Sequence, residues 1–511
     1  MKKKWFLELL GRRLIIVVLL LVQIAFIGYL IITGSRTFHI VNWILNLLSL
    51  ATALYIISKK EKGAYKLTWI ILILVFPLFG GLWYLMNCFQ TSTRKFSASI
   101  KKAEEKAAPL FFLPGDSIEE AETAMPQAAT SISYLQKYAG FPIYDNTETR
   151  YYSPGEEFWR ALLTELEIAE HYIFLEYFIV EEGVMWNGVL DILKRKAAEG
   201  VTVRLIYDDL GCFFLLPKDY PKQLKKYGIE CAVFNPFRPF LAGEQNNRDH
   251  RKIAVIDGKT AFTGGINLAD EYINAVDKHG HWKDAGICLK GKAAWSFTLI
   301  FLETWAHCKK VSEDFHPFYP WPDGVPPIVS DGFVQPYADS PMDTENVGEH
   351  VYLQIIGHAS RYVYIQTPYL IIDDSMVSAL TLAAKSGVDV RIITPHRWDK
   401  RFVHMTTRSY YRELINAGIR IYEYSDGFIH SKTFVSDDRV ATVGTTNLDF
   451  RSLYLHFECG VKLYGSRAVA EVREDFLATM KRSREITARD CRYNLLIRLY
   501  QDILRLFAPL M

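Results

Sequence analysis

The stretch His250-Arg-Lys252-Ile-Ala-Val-Ile-Asp257, followed by Gly264-Gly265-Ile-Asn267, decides the reading of this chain. The same polar pattern returns as His430-Ser-Lys432-Thr-Phe-Val-Ser-Asp437, followed by Gly444-Thr445-Thr-Asn447. The spacing is identical: H-x-K, four residues, D, six residues, G-x-x-N. The run after each histidine is apolar and strand-like. Side chains two apart on a strand point the same way, so His250 shares a face with Lys252, and His430 with Lys432. An imidazole beside an ammonium makes an anion site. Gly265 and Asn267, and Thr445 and Asn447, follow the next turn and can add backbone and amide donors to the same anion. A phosphodiester fits such a site. It needs a nucleophile, an acid for the leaving oxygen and positive charge near its non-bridging oxygens. One H-x-K-x4-D is a weak signal; two copies in register are a strong one. Asp257 and Asp437 complete the motif but fall on the opposite strand parity from their histidines, which predicts supporting roles.

The duplication extends upstream. Tyr172-Ile-Phe-Leu-Glu-Tyr-Phe-Ile179 reads like Tyr362-Val-Tyr-Ile-Gln-Thr-Pro-Tyr369. Ala197-Ala-Glu-Gly-Val-Thr-Val-Arg-Leu-Ile206 reads like Ala383-Ala-Lys-Ser-Gly-Val-Asp-Val-Arg-Ile-Ile393, and Gly228-Ile229 and Gly418-Ile419 follow at similar offsets. Short apolar strands alternating with helices predict two homologous α/β domains, about 146–330 and 331–490, with mostly parallel strands covered by helices. Glu176 and Gln366 sit at equivalent points of the two halves on apolar strands. A buried polar residue there needs a partner, in the cleft or in a buried network.

Of the 511 residues, half are hydrophobic, and the apolar ones crowd the front of the chain. Runs at about 14–32, 40–57 and 67–86 are long enough to predict transmembrane helices. No small-residue cleavage site follows the first, which argues against a removed signal peptide. Lys2, Lys3, Lys4, Arg12 and Arg13, and the loop carrying Lys59, Lys60, Lys62 and Lys66, are expected on the cytoplasmic side. Whether the rest of the chain lies inside or outside depends on whether all three runs cross. The expected organisation is a membrane domain over 1–95, a juxtamembrane linker over 96–145, the two α/β domains, and an amphipathic tail over 491–511. This makes a multi-pass protein of the cell membrane. The tail either lies on anionic lipid or packs on the protein. A net charge of +2 gives a nucleic-acid partner no support. The seven cysteines are scattered without metal-like spacing, and there is no H-E-x-x-H. No metal or cofactor is expected.

These residues resemble the phospholipase D superfamily and, within it, the bacterial cardiolipin synthases. The resemblance rests on Asn247 through Lys252, Gly264 through Asn267, Asp270-Glu271-Tyr272 and Trp282-Lys283-Asp284. It rests equally on Thr367-Pro368-Tyr369, Asn447-Leu-Asp449-Phe-Arg451-Ser452 and Phe457-Glu458. Trp69 through Gly80, Tyr84-Leu85 and the tail from Arg505 to Leu510 resemble the family's membrane module and closing segment. One extra apolar run precedes that module. The D-G-x-x-A-R signature of the CDP-alcohol class is absent.

The resemblance implies two half-sites meeting across a pseudo-twofold axis. One histidine, His250 by the superfamily's habit, attacks phosphorus to form a phosphatidyl-histidine, and His430 acts as acid and base. Lys252, Lys432, Asn267 and Asn447 hold the phosphate. Acidic residues about thirty positions downstream orient the histidines, and Asp284 and Glu458 stand at matching places. The implied reaction moves a phosphatidyl group between two phosphatidylglycerol molecules and releases glycerol. Hydrolysis, transfer to another polyol, a nuclease and a non-catalytic scaffold are the competing readings. Intact motifs count against the scaffold, and balanced charge against the nuclease.

Overall fold

The computed structural model describes residues 36–76, 91–112, 118–237 and 243–510, with a few isolated positions between 25 and 84. The chain divides into two compact units. One comprises residues 1–97, 237–246 and 503–511; the other comprises 98–236 and 247–502.

The larger unit contains two sheets built on one plan. The first has strands β1 (Thr147–Tyr152), β2 (Tyr172–Tyr177), β3 (Thr202–Asp208), β4 (Glu230–Phe234), β5 (Lys252–Ile256), β6 (Thr260–Gly264) and β8 (Gly286–Gly291). Their order is β1-β8-β6-β5-β2-β3-β4. Between β6 and β8 lies the short β7 (His281–Lys283). The second sheet has β9 (Phe333–Asp339), β10 (Tyr362–Gln366), β11 (Asp389–Pro395), β12 (Arg420–Tyr424), β14 (Thr433–Ser436), β15 (Val440–Gly444), β16 (Glu458–Tyr464) and β17 (Ser483–Ile486). Read from its other edge, the order is β9-β16-β15-β14-β10-β11-β12, with β17 added at the end. Strand for strand, this repeats the first sheet. The remaining strand, β13 (Gly427–Ile429), pairs in parallel with β7.

The strands are less parallel than the sequence suggests. Within the first sheet only β2–β3 and β3–β4 run parallel, whereas β1–β8, β2–β5, β5–β6 and β6–β8 are antiparallel. The reason is local. Helical crossovers such as Val184–Ala198 join β2 to β3 and permit parallel pairing. The H-x-K strand reaches the next one through only three residues, Asp257 to Lys259, and such a turn must fold back. Helix Ala293–Lys309, buried along nearly its whole length, follows the first sheet, and helix Arg467–Lys481 occupies the corresponding place after β16. Residues expected to form a linker carry helices: Thr91–Phe111, Ile118–Ala124 and Ala129–Lys137.

The N-terminal expectation requires correction. Among the described residues no helix is long and apolar enough to cross a membrane, so transmembrane helices, and the multi-pass topology built on them, are not supported. The run 67–86 yields helix Gly63–Val75, 13 residues long. At 1.5 Å per residue that reaches about 20 Å, against a hydrocarbon core of about 30 Å. Phe76 caps the helix, and Pro77 comes next in the sequence. The run 40–57 falls in helix Arg36–Ser58, where Asn46, buried Ser49 and Thr52 interrupt it. The run 14–32 lies almost wholly outside the described residues. In the smaller unit, Ile56, Trp69, Ile73 and Tyr84 form an apolar cluster, with Trp69 edge-on to Tyr84 at 5.2 Å. The Thr68 hydroxyl donates to the Leu506 carbonyl at 2.7 Å, and Ala508 and Pro509 are buried. The end of the tail thus packs on protein. Its helix, Leu495–Phe507, still exposes Leu495, Leu496 and Leu499.

The motif aspartates hold the sheets together at the turns. Asp257 follows β5, and its carboxylate accepts from the backbone N–H groups of Glu170, His171 and Tyr172 at 2.8, 2.8 and 2.7 Å. Asp437 does the same after β14, accepting from Ser360, Arg361 and Tyr362 at 2.7, 2.8 and 2.9 Å. Both have positive φ, 51° and 56°, a conformation that Asp tolerates better than most residues. Burial pushes the Asp437 carboxyl up, but these backbone donors outweigh it and hold it below the ordinary range. We predict that Asp257→Ala lowers stability by on the order of 2 kcal/mol, because three donors lose their acceptor. Urea unfolding would measure it. An unchanged midpoint accompanied by lost activity would instead give Asp257 a part in the chemistry.

Candidate active site

The two histidines lie at the start of equivalent strands, and each is held by the other half. His250 precedes β5. Its backbone N–H donates to the Phe457 carbonyl at 2.9 Å, and Asp249 bridges Phe457 in parallel. His430 precedes β14, and its N–H donates to the Lys283 carbonyl at 2.7 Å, continuing the β13–β7 pairing. The side chains cross in the same way. His250 Nδ1 lies 2.9 and 3.0 Å from the two oxygens of Glu458, whereas His430 Nδ1 lies 2.7 Å from Asp284 Oδ2. The downstream spacing puts Asp284 with His250 and Glu458 with His430; the fold instead pairs each acid with the histidine of the other half, because β7 and the strand entry at Phe457 lie against the opposite half.

Lys252 and Lys432 are buried beside their histidines, and each ammonium donates to the preceding histidine's carbonyl. Lys432 Nζ also lies 2.9 Å from His430 Nδ1. Burial pulls Lys432 down to about 7 and Lys252 down to about 8, against the opposing pull of Asp284 and Glu458 respectively. Burial, reinforced by Lys432, brings His430 down to about 4. Burial and Lys252 hold His250 well below the ordinary histidine range. The two acids differ. Burial raises Asp284, but the neighbouring His430 and Lys432 outweigh it and leave it below the usual carboxylate range. Burial raises Glu458 to about 8, with Lys252 opposing.

The residues after each hairpin support the acids. Thr445 Oγ1 donates to Glu458 Oε2 and accepts from the Cys459 N–H at 3.0 Å. Its counterpart Gly265 leaves room for Asp284: a Cβ there would stand 2.1 Å from Asp284 Oδ1 and 2.9 Å from the His430 carbonyl. The Asn267 amide is committed, its oxygen accepting from the Ile179 N–H at 3.0 Å and its nitrogen donating to the Tyr272 hydroxyl at 2.6 Å. Asn447 Oδ1 is buried without a hydrogen-bond partner. Neither amide thus repeats the other's arrangement.

Several neighbours escape a motif reading. Tyr272, Trp282 and Phe428 surround the His430 ring at 5.5, 5.3 and 6.1 Å. Phe178 and His456 flank His250 at 5.1 and 5.6 Å. Asp208 receives two nitrogens of Arg248 and the N–H of Asp249, fixing the approach to His250. Glu176 lies 3.2 Å from Arg251 Nε, which also binds Asp249 at 3.1 Å. Gln366 instead joins Lys283 and Asp475. Lining up the two acids would have found His456, which stands two residues before Glu458 as Trp282 stands before Asp284. The ion pairs join residues far apart in sequence and carry no local signal. Among the described residues, His250, His456 and Glu458 form the one group of three ligand-bearing side chains close enough to hold a metal ion, their ligand atoms within 4.8 Å of one another. A cavity of about 270 Å³ is lined by Glu104, Glu303, Asp339 and Asp343 together with Arg251 and Phe457. Its acidic wall suits a phosphodiester poorly.

A histidine pair with two lysines, assembled from two copies of one sheet, defines a duplicated phospholipase D-like protein. Comparison agrees: residues 162–279 and 352–480 match the domain described as "Cardiolipin synthase, PLD-like domain". A protein named cardiolipin synthase in Geobacillus sp. is 37% identical over 463 residues, 89% of this chain and 91% of the relative. Another of that name, from Halalkalibacterium halodurans, is 35% identical over 450 residues, 87% and 88% of the two chains. An uncharacterised protein of Streptococcus mutans is 41% identical over 463 residues, 90% of this chain and the whole relative. The crystal structure of Haemophilus influenzae phosphatidylserine synthase shares the fold at TM-score 0.54 and 14% identity, over 73% of this chain and 96% of that one. The chain belongs to the bacterial cardiolipin synthase family of the phospholipase D superfamily.

Two predictions follow from the geometry. Gly265→Ala should displace Asp284 from His430 and lower kcat by about 100-fold, the scale of a misplaced catalytic group. A wild-type kcat would mean that Asp284 is dispensable there. If the lysines bind the phosphate, kcat/KM should fall as pH rises through 7 to 8, where the empty site's Lys432 and Lys252 lose their protons. A bound anion favours the charged lysines, so the corresponding limb in kcat should sit at higher pH. A flat profile from about pH 6 to 9 would remove the lysines from phosphate binding.

Proposed function

We propose that the chain is a cardiolipin synthase. It transfers the phosphatidyl group of one phosphatidylglycerol to a second and releases glycerol, through a phosphatidyl-histidine. The observation that carries this reading is the crossed pair, two imidazoles each backed by a carboxylate of the opposite half. A hydrogen bond from Nδ1–H to Glu458 leaves His250 Nε2 with the lone pair that attacks phosphorus. The bond from phosphorus to the glycerol oxygen breaks, and His430 gives that oxygen its proton. His430 then takes the proton of a hydroxyl on the second phosphatidylglycerol. That oxygen attacks phosphorus, the phosphorus–nitrogen bond breaks, and His250 is restored. Lys252 and Lys432 hold the non-bridging oxygens, and their charge favours the crowded transition state.

The shifted groups suit these tasks. His250 is uncharged at neutral pH, as a nucleophile must be. The positive charge that develops on the ring favours the ionised form of Glu458, which then accepts the Nδ1–H hydrogen bond. His430 is uncharged in the empty site, and the arriving phosphodiester brings the negative charge that favours its protonated form. Asp257 and Asp437 act by holding the strands that present the histidines. Donor and acceptor are both membrane lipids, so the enzyme works at the membrane surface.

The test uses purified protein in mixed micelles with head-group-labelled phosphatidylglycerol and EDTA. Free glycerol should appear at about one per cardiolipin, and His250→Ala or His430→Ala should each cut turnover by on the order of 1000-fold. Glycerol with phosphatidic acid in place of cardiolipin would mean that water is the acceptor. A trapped intermediate mapped to His430 would exchange the two histidines' roles.

A further inference from the structure

His456 breaks the symmetry of the two half-sites. It occupies the place of Trp282, and each ring packs against the histidine of the opposite half, at 5.6 and 5.3 Å. The tryptophan presents an apolar face. The histidine presents two ring nitrogens that are buried and make no hydrogen bond. Glu458 Oε1, at 4.0 Å, is too far to serve. A buried polar ring without a partner calls for a ligand.

The surroundings specify the ligand's charge. The His456 backbone N–H donates to the Arg451 carbonyl at 2.9 Å, which ties the main chain at His456 to the Arg451 turn. The positive charges of Arg451, Lys252, Arg248 and Lys400 all bear on the imidazole and, together with burial, hold it well below the ordinary histidine range. Exposure falls in steps, from Lys400 on the surface, through half-buried Arg451 and His456, to buried His250. Of the acidic groups nearby, Asp449 bears on both Arg451 and Lys400 and offsets part of their charge. Glu458 faces His250, and Asp449 accepts from the Ser452 N–H at 2.9 Å.

In the transfer reading the acceptor carries a phosphodiester of its own, joined through glycerol to the hydroxyl that attacks. Lys252 and Lys432 are engaged with the transferred phosphate, so the second anion needs separate donors. We propose that His456, Arg451 and Lys400 form a second anion subsite beside His250 that holds the phosphodiester of the acceptor lipid. This rests on the phosphatidyl transfer proposed above. The subsite orients the acceptor's glycerol hydroxyl toward the transferred phosphorus.

Free glycerol is an acceptor without that anion, and this separates the subsite from the chemistry. The measurement compares two rates of the full-length protein in micelles with EDTA: cardiolipin formation from phosphatidylglycerol, and exchange of labelled glycerol into phosphatidylglycerol. The ratio of the first to the second should fall about tenfold in Arg451→Gln and in His456→Asn, the scale of one lost charge-assisted hydrogen bond, and about threefold in Lys400→Gln. Lys400 is exposed, so its variant tests the subsite even if the other two fold poorly. A wild-type ratio in all three variants overturns the subsite and leaves phosphatidyl transfer standing. A wild-type protein that forms neither product overturns the transfer, and the subsite with it.

Discussion

The crossed hydrogen bonds between histidines and carboxylates constrain everything around them. His250 depends on Glu458, and His430 on Asp284. Neither half supplies both members of either motif pair, so neither sheet alone can orient its motif imidazole. The backbone enforces the crossing: the parallel pairing of β13 with β7, and its shorter counterpart from Asp249 to Phe457, places each acid's strand against the other half's histidine. Buried carboxylates and ammonium groups are costly unless they meet partners. The crossing supplies those partners, and in doing so ties the two sheets at the site.

Much of this is legible in the sequence, for physical reasons. The H-x-K spacing fixes which side chains share a face, and the parity of Asp257 and Asp437 excludes them from it; their carboxylates bind backbone at the far ends of the same strands. The repeat of apolar strands shows the duplication. What the sequence does not carry is pairing direction and partnership across the halves. A three-residue turn reverses β5 into β6, while apolar runs alone suggest parallel strands. The N-terminal runs mislead differently. Hydropathy counts residues along the chain, but a helix stopped after 13 residues cannot use the apolar ones beyond it.

The two halves carry the same plan with opposite polarity. In the first, the residue between histidine and lysine is Arg251, stacked on Phe457 at 5.2 Å and paired with Glu176 and Asp249. In the second, that place is Ser431, and the cation is Lys283, which arrives from the other half and reaches Asp475 at 2.6 Å. Glu176 and Gln366 follow the same exchange, carboxylate beside the arginine and amide beside the serine. Each network pairs its charges with its own neighbours, so neither can be swapped for the other one residue at a time.

That asymmetry bears on how one site performs two unlike steps. Displacement at phosphorus needs one imidazole as nucleophile and another as proton carrier, and identical environments would give both the same proton affinity. Here the acids diverge: Asp284 stays ionised beneath His430, while Glu458 is raised to about 8 beneath His250. An ionised partner stabilises an imidazolium and suits a proton carrier. A partner whose ionised form is disfavoured until charge arrives suits a ring that must gain and lose positive charge as its bond to phosphorus forms and breaks. Gly265 and Thr445 complete the difference, one making room for the shorter acid and the other donating to the longer. Duplication supplies the two imidazoles, and divergence in the residues behind them makes the two suited to different work.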